Sequence, residues 1–485
     1  MAVSKPFGGK FDQERKPFDK SALAEGAKLS VLQSSRGLLY WNVMSIIFVT
    51  VPLFLPVSDI LAQLLRYLMF NAVACATFTW WRLGVPLKLV WPVRFILLIQ
   101  VWLTICSFLS GAQLGRTNDF ETSNYFLIMA VIYYICAALI SHVWHTYRAL
   151  LTNILLVCFA ASAIVGFFQF LKVGPFLWLA QIYNRNNDIT AWGATQFNAD
   201  GFAAGSVRAI GLGAWPEWLA FHCLGGWAIL ASRLMERRLK PWEFVLASFF
   251  LLVALMAQSR IMYVSLGICG IIFLIMLIQR DKERGPVYLI AFFLSICVLA
   301  IFGGERLSYA FSTNLGEDKT LKYRSEIGWQ QAFRIESERP WVGIGPDNGL
   351  VWGVTEIVPD KWTQGQYLDN GLLLLISWGG YPAVALFLPI MITGLLSTLL
   401  VLKNRSNTME RRKVAFVTFT FLMLLGNNML LNNGFTNIWL NCLVAAFGGM
   451  CLPNSSELKS EMTQQYNVFS RMKQRALVRS ELDQL

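Results

Sequence analysis

From Met262 to Gln279 the chain reads MYVSLGICGIIFLIMLIQ, an apolar run without a charged residue, and NYFLIMAVIYYICAALISHVWH from Asn124 to His145 is a second. Each approaches the ~20 helical residues that cross ~30 Å of hydrocarbon. A bilayer core offers no water to exposed backbone groups, so runs of this kind cross it as helices. The composition agrees with that constraint. The 485 residues are 55% hydrophobic and 14% charged, whereas soluble domains carry ~25% charged residues. The chain is therefore expected to be an all-α, polytopic membrane protein.

About twelve transmembrane helices are expected, at 39–57, 62–81, 92–110, 124–144, 149–171, 210–231, 243–258, 262–279, 286–303, 371–402, 414–431 and 437–452. The net charge of +12 is distributed unevenly. RLMERRLK (233–240), RDKER (280–284) and KNRSNTMERRK (403–413) fall in alternate loops, while GAQLGRTNDFETSN holds the single arginine Arg116. Placing the basic loops in the cytosol satisfies the positive-inside rule. That arrangement accounts for the positive charge without nucleic acid. The first apolar run begins only near Gly37, too far from Met1 for a cleaved signal peptide. Residues 1–38 are thus expected to be a cytosolic tail, followed by spans one to nine over 39–303 with an outer loop near 172–209. A large outer loop at 304–370, spans ten to twelve over 371–452 and a cytosolic tail at 453–485 complete the expected organisation.

All nine cysteines lie in or beside apolar runs, and only three histidines occur, His142, His145 and His222. These patterns argue against a disulfide framework and against a zinc centre, and no cofactor is expected. His222 reads as a satisfied intramembrane polar group, and His142 and His145 as interfacial residues.

Several polar residues stand where apolar runs meet the outer side. Arg260, in MAQSRIMYVSLG, runs against the positive-inside trend. It is either a snorkelling anchor or a planar fork of donors suited to phosphate. Arg208 opens the next candidate span, and Glu217 is expected about two turns inside it, where a carboxylate is costly unless used or paired. Asp369 and Asn370 open the run DNGLLLLISWGGYPA. Helix capping is one reading of that pair. In the large loop, KTLKYRSEIGWQQAFRIESERP is expected to be helical up to Pro340. Leu321, Gly328, Trp329, Ala332 and Phe333 would share its apolar side, with Arg324 at the border of the stripe. GIGPDNG (343–349) reads as a turn, with an anion-binding backbone nest as the alternative. Trp192, Trp329, Trp341 and Trp362 can stack on sugar faces or serve as interfacial anchors. Arg208, Arg260, Arg324 and Asp369 would all reach one interface, which suits an anionic, membrane-embedded substrate and proton abstraction by the carboxylate.

Taken in order, RAIGLGAWPEWLA (208–220), QSR (258–260), YRSEIGWQQAF…RPWVGIGPDN (323–348) and DNGLLLLISWGGYPA (369–383) resemble the O-antigen ligase and polymerase superfamily of bacterial envelope glycosyltransferases. The resemblance implies transfer of glycan from a polyprenyl (undecaprenyl) pyrophosphate-linked oligosaccharide to a glycan acceptor, without a metal, at the periplasmic face of the inner membrane. It implies that Arg260 and Arg324 hold the diphosphate and that Asp369 is the catalytic base. Arg208, Glu217, Asn370 and Gly380 then fall to substrate binding. Asp369 stands where the ligases typically have histidine, and Ala383 replaces a glycine of their pattern. These departures favour a polysaccharide polymerase over an O-antigen ligase. A chain-length-regulating or export complex is the partner the resemblance implies. A lipid-linked oligosaccharide flippase or transporter is the rival from another class, and it would show related halves and broken helices at mid-membrane.

Overall fold

The computed structural model describes residues 64, 68, 91–114, 150, 152–183, 209–213, 216–235, 239–257, 259–294, 297, 329–345, 370–404 and 407–431. Every regular element among them is a helix: α1 (Trp91–Leu114), α2 (Thr152–Phe170), α3 (Gly174–Tyr183), α4 (Pro216–Leu234), α5 (Pro241–Met256), α6 (Arg260–Arg280), α7 (Gly285–Leu294), α8 (Gln330–Glu338), α9 (Gly371–Lys403) and α10 (Met409–Leu431). Among the described residues α2, Tyr263–Arg280 of α6, and α9 are long and apolar enough to cross a membrane. The expected spans at 39–57, 124–144 and 437–452 lie outside the described residues, as does 62–81 apart from Leu64 and Leu68.

The bundle is centred on α4, which packs against α5, α6 and α10, while α9 packs against α10, α1 and α8. Small residues allow the close approaches. A Cβ on Gly226 would lie 2.5 Å from the Phe250 ring, so α4 and α5 meet almost backbone to side chain. Leu388, Ile392, Leu396 and Leu400 of α9 form an exposed ridge four residues apart. Such a ridge on a soluble protein would be an aggregation surface, but in a bilayer it is covered by lipid tails.

Polar contacts tie the helix ends together and give the bundle a direction. Arg233 in the last turn of α4 pairs with Glu243 in the first turn of α5 at 2.9 Å and donates to Asn153 of α2 at 2.6 Å. Arg280 at the end of α6 donates to the Leu234 carbonyl. Arg412 at the start of α10 donates to Gln279 at 3.2 Å, and Asn407 donates to Val401 O near the end of α9 at 3.0 Å. The first turns of α2, α5 and α10 and the last turns of α4, α6 and α9 therefore share one strongly basic end. The first turns of α4, α6 and α9 share the opposite end.

Two expected spans need correction. The span read as 210–231 begins as helix only at Pro216, a residue suited to a first turn because it lacks the N–H that would go unpaired there. Residues 209–213 before it are non-helical. The span read as one run over 371–402 is interrupted at Gly380, whose φ of 63° and ψ of −164° are not helical. Its 33 residues would reach ~50 Å at ~1.5 Å each, well beyond ~30 Å of hydrocarbon. The portion after the break, Tyr381–Lys403, is about 35 Å long, enough to cross alone. Before the break Gly371, Leu373, Leu374, Leu375, Ser377 and Trp378 are buried in protein.

Candidate functional site

The break in α9 is where two of the sequence motifs meet. Pro382 has no N–H to offer the Trp378 carbonyl. The Tyr381 N–H turns away from the helix to Pro340 O at 2.8 Å. The carbonyls released by the break find partners elsewhere. Ser377 O accepts from Ile344 N–H at 2.8 Å, and Trp378 O from Gly345 N–H at 3.1 Å. Gly379 O accepts from Trp102 Nε1 at 2.8 Å. The Tyr381 hydroxyl donates to Glu336 of α8, and its ring meets Trp341 edge to face at 6.3 Å. The segment WVGIG (341–345) is thus hydrogen-bonded into the helix that DNGLLLLISWGGYPA forms.

Two glycines make this contact possible. A Cβ on Gly380 would lie 2.4 Å from Pro340 O, and one on Gly343 would lie 2.4 Å from Ser377 O. Both residues are left-handed, with φ of 63°, which costs an L-residue roughly 1–2 kcal/mol. Gly380 therefore faces protein backbone. The turn reading of GIGPDNG holds for the described residues 340–345, where the N–H groups of Gly343, Ile344 and Gly345 are already bonded to Arg339, Ser377 and Trp378 carbonyls. No backbone nest is left there for an anion.

The expected residues Leu321, Arg324 and Gly328 lie outside the described residues, and the described part of the loop helix docks on a different face from the one expected. Over α8 the buried residues are Ala332 and Ile335, with Trp329 half-buried, whereas Phe333 is 54% exposed. Phe333 is therefore not on the packed side. Residues 329, 332 and 335 lie on one side of the helix, and Glu336 beside them reaches Tyr381.

At the end of the bundle opposite the basic one, Asn370 is the N-cap of α9. Its Oδ1 accepts from Leu372 N–H at 3.0 Å and Leu373 N–H at 3.1 Å. The capping task raised for the Asp369–Asn370 pair is thus filled by Asn370. Arg260 is the first residue of α6, after the N-cap Ser259. A cation at that position opposes the helix dipole by roughly 0.3–1 kcal/mol, so an anionic neighbour would improve its electrostatics. Glu217 also stands in a first turn, that of α4, where a carboxylate is favoured. It is half-buried at the helix start and not two turns inside, which corrects the depth expected of it. Asp369, Arg324, Arg208, Trp192, Trp362, His142, His145 and the Arg260 side chain lie outside the described residues.

The RAIGLG motif is held by residues that sequence reasoning did not single out. Gln169 Oε1 accepts from Ile210 N–H at 3.0 Å and Gly211 N–H at 2.8 Å, and its Nε2 donates to Gly211 O at 3.1 Å. Ser162 Oγ accepts from Leu212 N–H at 3.0 Å and lies 2.8 Å from His222 Nδ1. His222 is accordingly a satisfied intramembrane polar group, as read, with Phe159 stacked on its ring at 5.6 Å. The signal for Gln169 was present in the sequence, as an amide inside the apolar run GFFQFL.

These placements put Glu217, the start of α6 and Asn370 at one end of the bundle, with the α8 loop docked just below it. Residues 244–388 match the O-antigen ligase family. The match supports the superfamily resemblance carried by the motifs, and members of that family are membrane glycosyltransferase-like ligases and polymerases. The O-antigen ligase segment includes Arg260, Arg324, Asp369, Asn370 and Gly380 and leaves Arg208 and Glu217 upstream. No curated protein matches the chain.

Proposed function

We propose that the protein is a polysaccharide polymerase that moves glycan from a polyprenyl pyrophosphate donor to a sugar hydroxyl on a growing lipid-linked chain. The observation that carries this reading is the O-antigen ligase match over 244–388, together with the placement of the α6 and α9 starts at the same, non-basic end of the bundle. By the positive-inside rule that end faces the periplasm of a bacterial inner membrane. The acceptor oxygen attacks the anomeric carbon as the bond from that carbon to the diphosphate breaks. The leaving diphosphate takes the bonding electron pair. Arg260 and Arg324 stabilise the charge that develops on it, and Asp369 takes the acceptor's proton. Two features support the base role over the bland one: the cap of α9 is already supplied by Asn370, and the family match covers both arginines and the acid. The departure of Asp369 from the ligases' histidine favours a polymerase, with an O-antigen ligase as the second reading.

A transporter would use a broken helix to expose backbone carbonyls to its cargo near mid-membrane. Here the carbonyls of Ser377, Trp378 and Gly379 are bonded to the protein's own N–H groups. The break is an internal joint, which favours a fixed site over an alternating one. The test is to replace Arg260 or Asp369 by alanine, match membrane levels, and run the surface polysaccharide on a gel. Loss of long chains with single repeat units left on the acceptor is the expected result. Intact chains stranded on the lipid carrier would identify a ligase instead, and precursor trapped on the cytosolic leaflet would identify a transporter. Normal long glycan in both variants would end the catalytic proposal.

A further inference from the structure

The segment that follows Arg208 is clamped in an unusual way for a connection at a helix entrance. Ala209 and Ile210 are fully buried, and Gly211 has φ of +64° with Ser162 Oγ 2.6 Å from where its Cβ would be. Two buried polar side chains of α2, Gln169 and Ser162, bond to the segment, and His222 of α4 bonds to Ser162; Gln169 and Ser162 are 0% exposed and His222 2%. Placing three such groups in a membrane bundle is costly unless each is bonded. Each of them is satisfied by a hydrogen bond. Leu212 N–H fills one acceptor site of Ser162 Oγ, and His222 Nδ1 is the hydroxyl's other partner. Gln169 binds two N–H groups and one carbonyl of consecutive residues, so the 209–213 backbone can neither slide along α2 nor rotate about its own axis without breaking several bonds.

We infer that Gln169, backed by Ser162 and His222, is the positioning element of the glycosyl-transfer site, fixing the 209–213 backbone at the entrance of α4 so that Glu217 in its first turn is presented to the sugar part of the substrate. The inference rests on the glycosyl-transfer reading above. A connection that needed only to join two helices would find its hydrogen bonds in water at the bundle end. Instead α2 reaches over with Ser162 and with Gln169 in its last turn to hold Ile210, Gly211 and Leu212, and His222 in the second turn of α4 bonds to Ser162. The element acts on geometry, and the diphosphate is held elsewhere, by the start of α6. A misplacement of about 1 Å can cost ~10²-fold in rate without loss of binding.

The test uses the full chain in its membrane. Gln169→Leu removes all three amide bonds at similar volume. At matched membrane abundance it is expected to lower long-chain glycan by at least about tenfold. The purified variant is expected to melt lower, because Ile210 N–H, Gly211 N–H and Gly211 O lose their partner, but at a temperature where it is folded it should bind undecaprenyl pyrophosphate in micelles within about twofold of the parent. Unchanged glycan output would overturn the inference. A parallel fall in output and in lipid affinity, measured where the variant is still folded, would also overturn it, because the bracket would then be a fold staple only. Should Gln169→Leu fail to accumulate, Ser162→Ala, which removes only the Leu212 and His222 contacts, is judged by the same criteria, and its failure to accumulate also counts against the inference. Arg260→Ala run alongside separates the two layers: normal output from that variant removes the transfer reading itself, whatever Gln169 does.

Discussion

Gly380→Ala isolates the joint between the α8 loop and α9. The new methyl would sit 2.4 Å from Pro340 O and 2.5 Å from the Trp341 carbonyl carbon, both backbone atoms that no rotamer change can move. A left-handed alanine costs roughly 1–2 kcal/mol before any clash. Relief of the clash requires Pro340 and Trp341 to withdraw, which endangers the bonds Tyr381 N–H to Pro340 O, Ile344 N–H to Ser377 O and Gly345 N–H to Trp378 O. At about 1 kcal/mol for each bond lost, the total is on the order of 3–5 kcal/mol. Gly267→Ala is the matched control: it lies inside α6 with nothing within 4 Å of its Cβ position. Helix propensity there favours alanine by up to about 1 kcal/mol. Thermal unfolding of both purified variants, followed by intrinsic fluorescence, should show Gly380→Ala melting at least about 5 °C below the parent and Gly267→Ala at or above it. If Gly380→Ala melts with the parent, the loop does not dock on the break as described, and the glycine must be explained by contact with substrate.

Other outcomes follow from the helix ends. Asn370→Ala removes the acceptor of two N–H groups at the start of α9 and should cost about 1 kcal/mol, while Asn370→Asp should keep most of the stability; thermal melts compare the two. Arg233→Ala leaves Glu243, whose side chain is 1% exposed, without its guanidinium partner. Stability should fall by roughly 3 kcal/mol, and Arg233→Ala combined with Glu243→Gln should recover part of it. A double-variant melt no better than that of Arg233→Ala would mean that the buried carboxylate has another counter-ion.

Much of the architecture is legible locally because a bilayer imposes a local rule. Each spanning segment must satisfy its own backbone, so apolar length alone marks the helices, and α1, α2, α5, α6, α9 and α10 fall close to the expected runs. The polarity of the bundle is legible for a similar reason, since the basic loops 233–240, 280–284 and 403–413 mark one end by composition. The resemblance to the O-antigen ligase family, too, could be read from short motifs in order, and the match over residues 244–388 supports it. The site is legible only as residue types at one interface. Glu217 looked deep because the apolar run before it, AIGLGA, was counted as helix, and its glycines with Pro216 hold the start of α4 back instead.

What tertiary structure decided are the contacts between segments far apart in the chain. GGYP signals a possible interruption at Gly380, but only the loop 340–345 arriving from elsewhere supplies N–H groups for the freed carbonyls and turns a weakness into a joint. Along α8 the apolar residues fit more than one face, and docking on α9 selected Ala332 and Ile335 over Phe333. Gln169 and Gly211 are 42 positions apart, and Ser162 and His222 are 60 apart. No periodicity connects such pairs. Hydrogen bonding depends on distance in space, and only the packing of α2 against α4 brings those groups within reach.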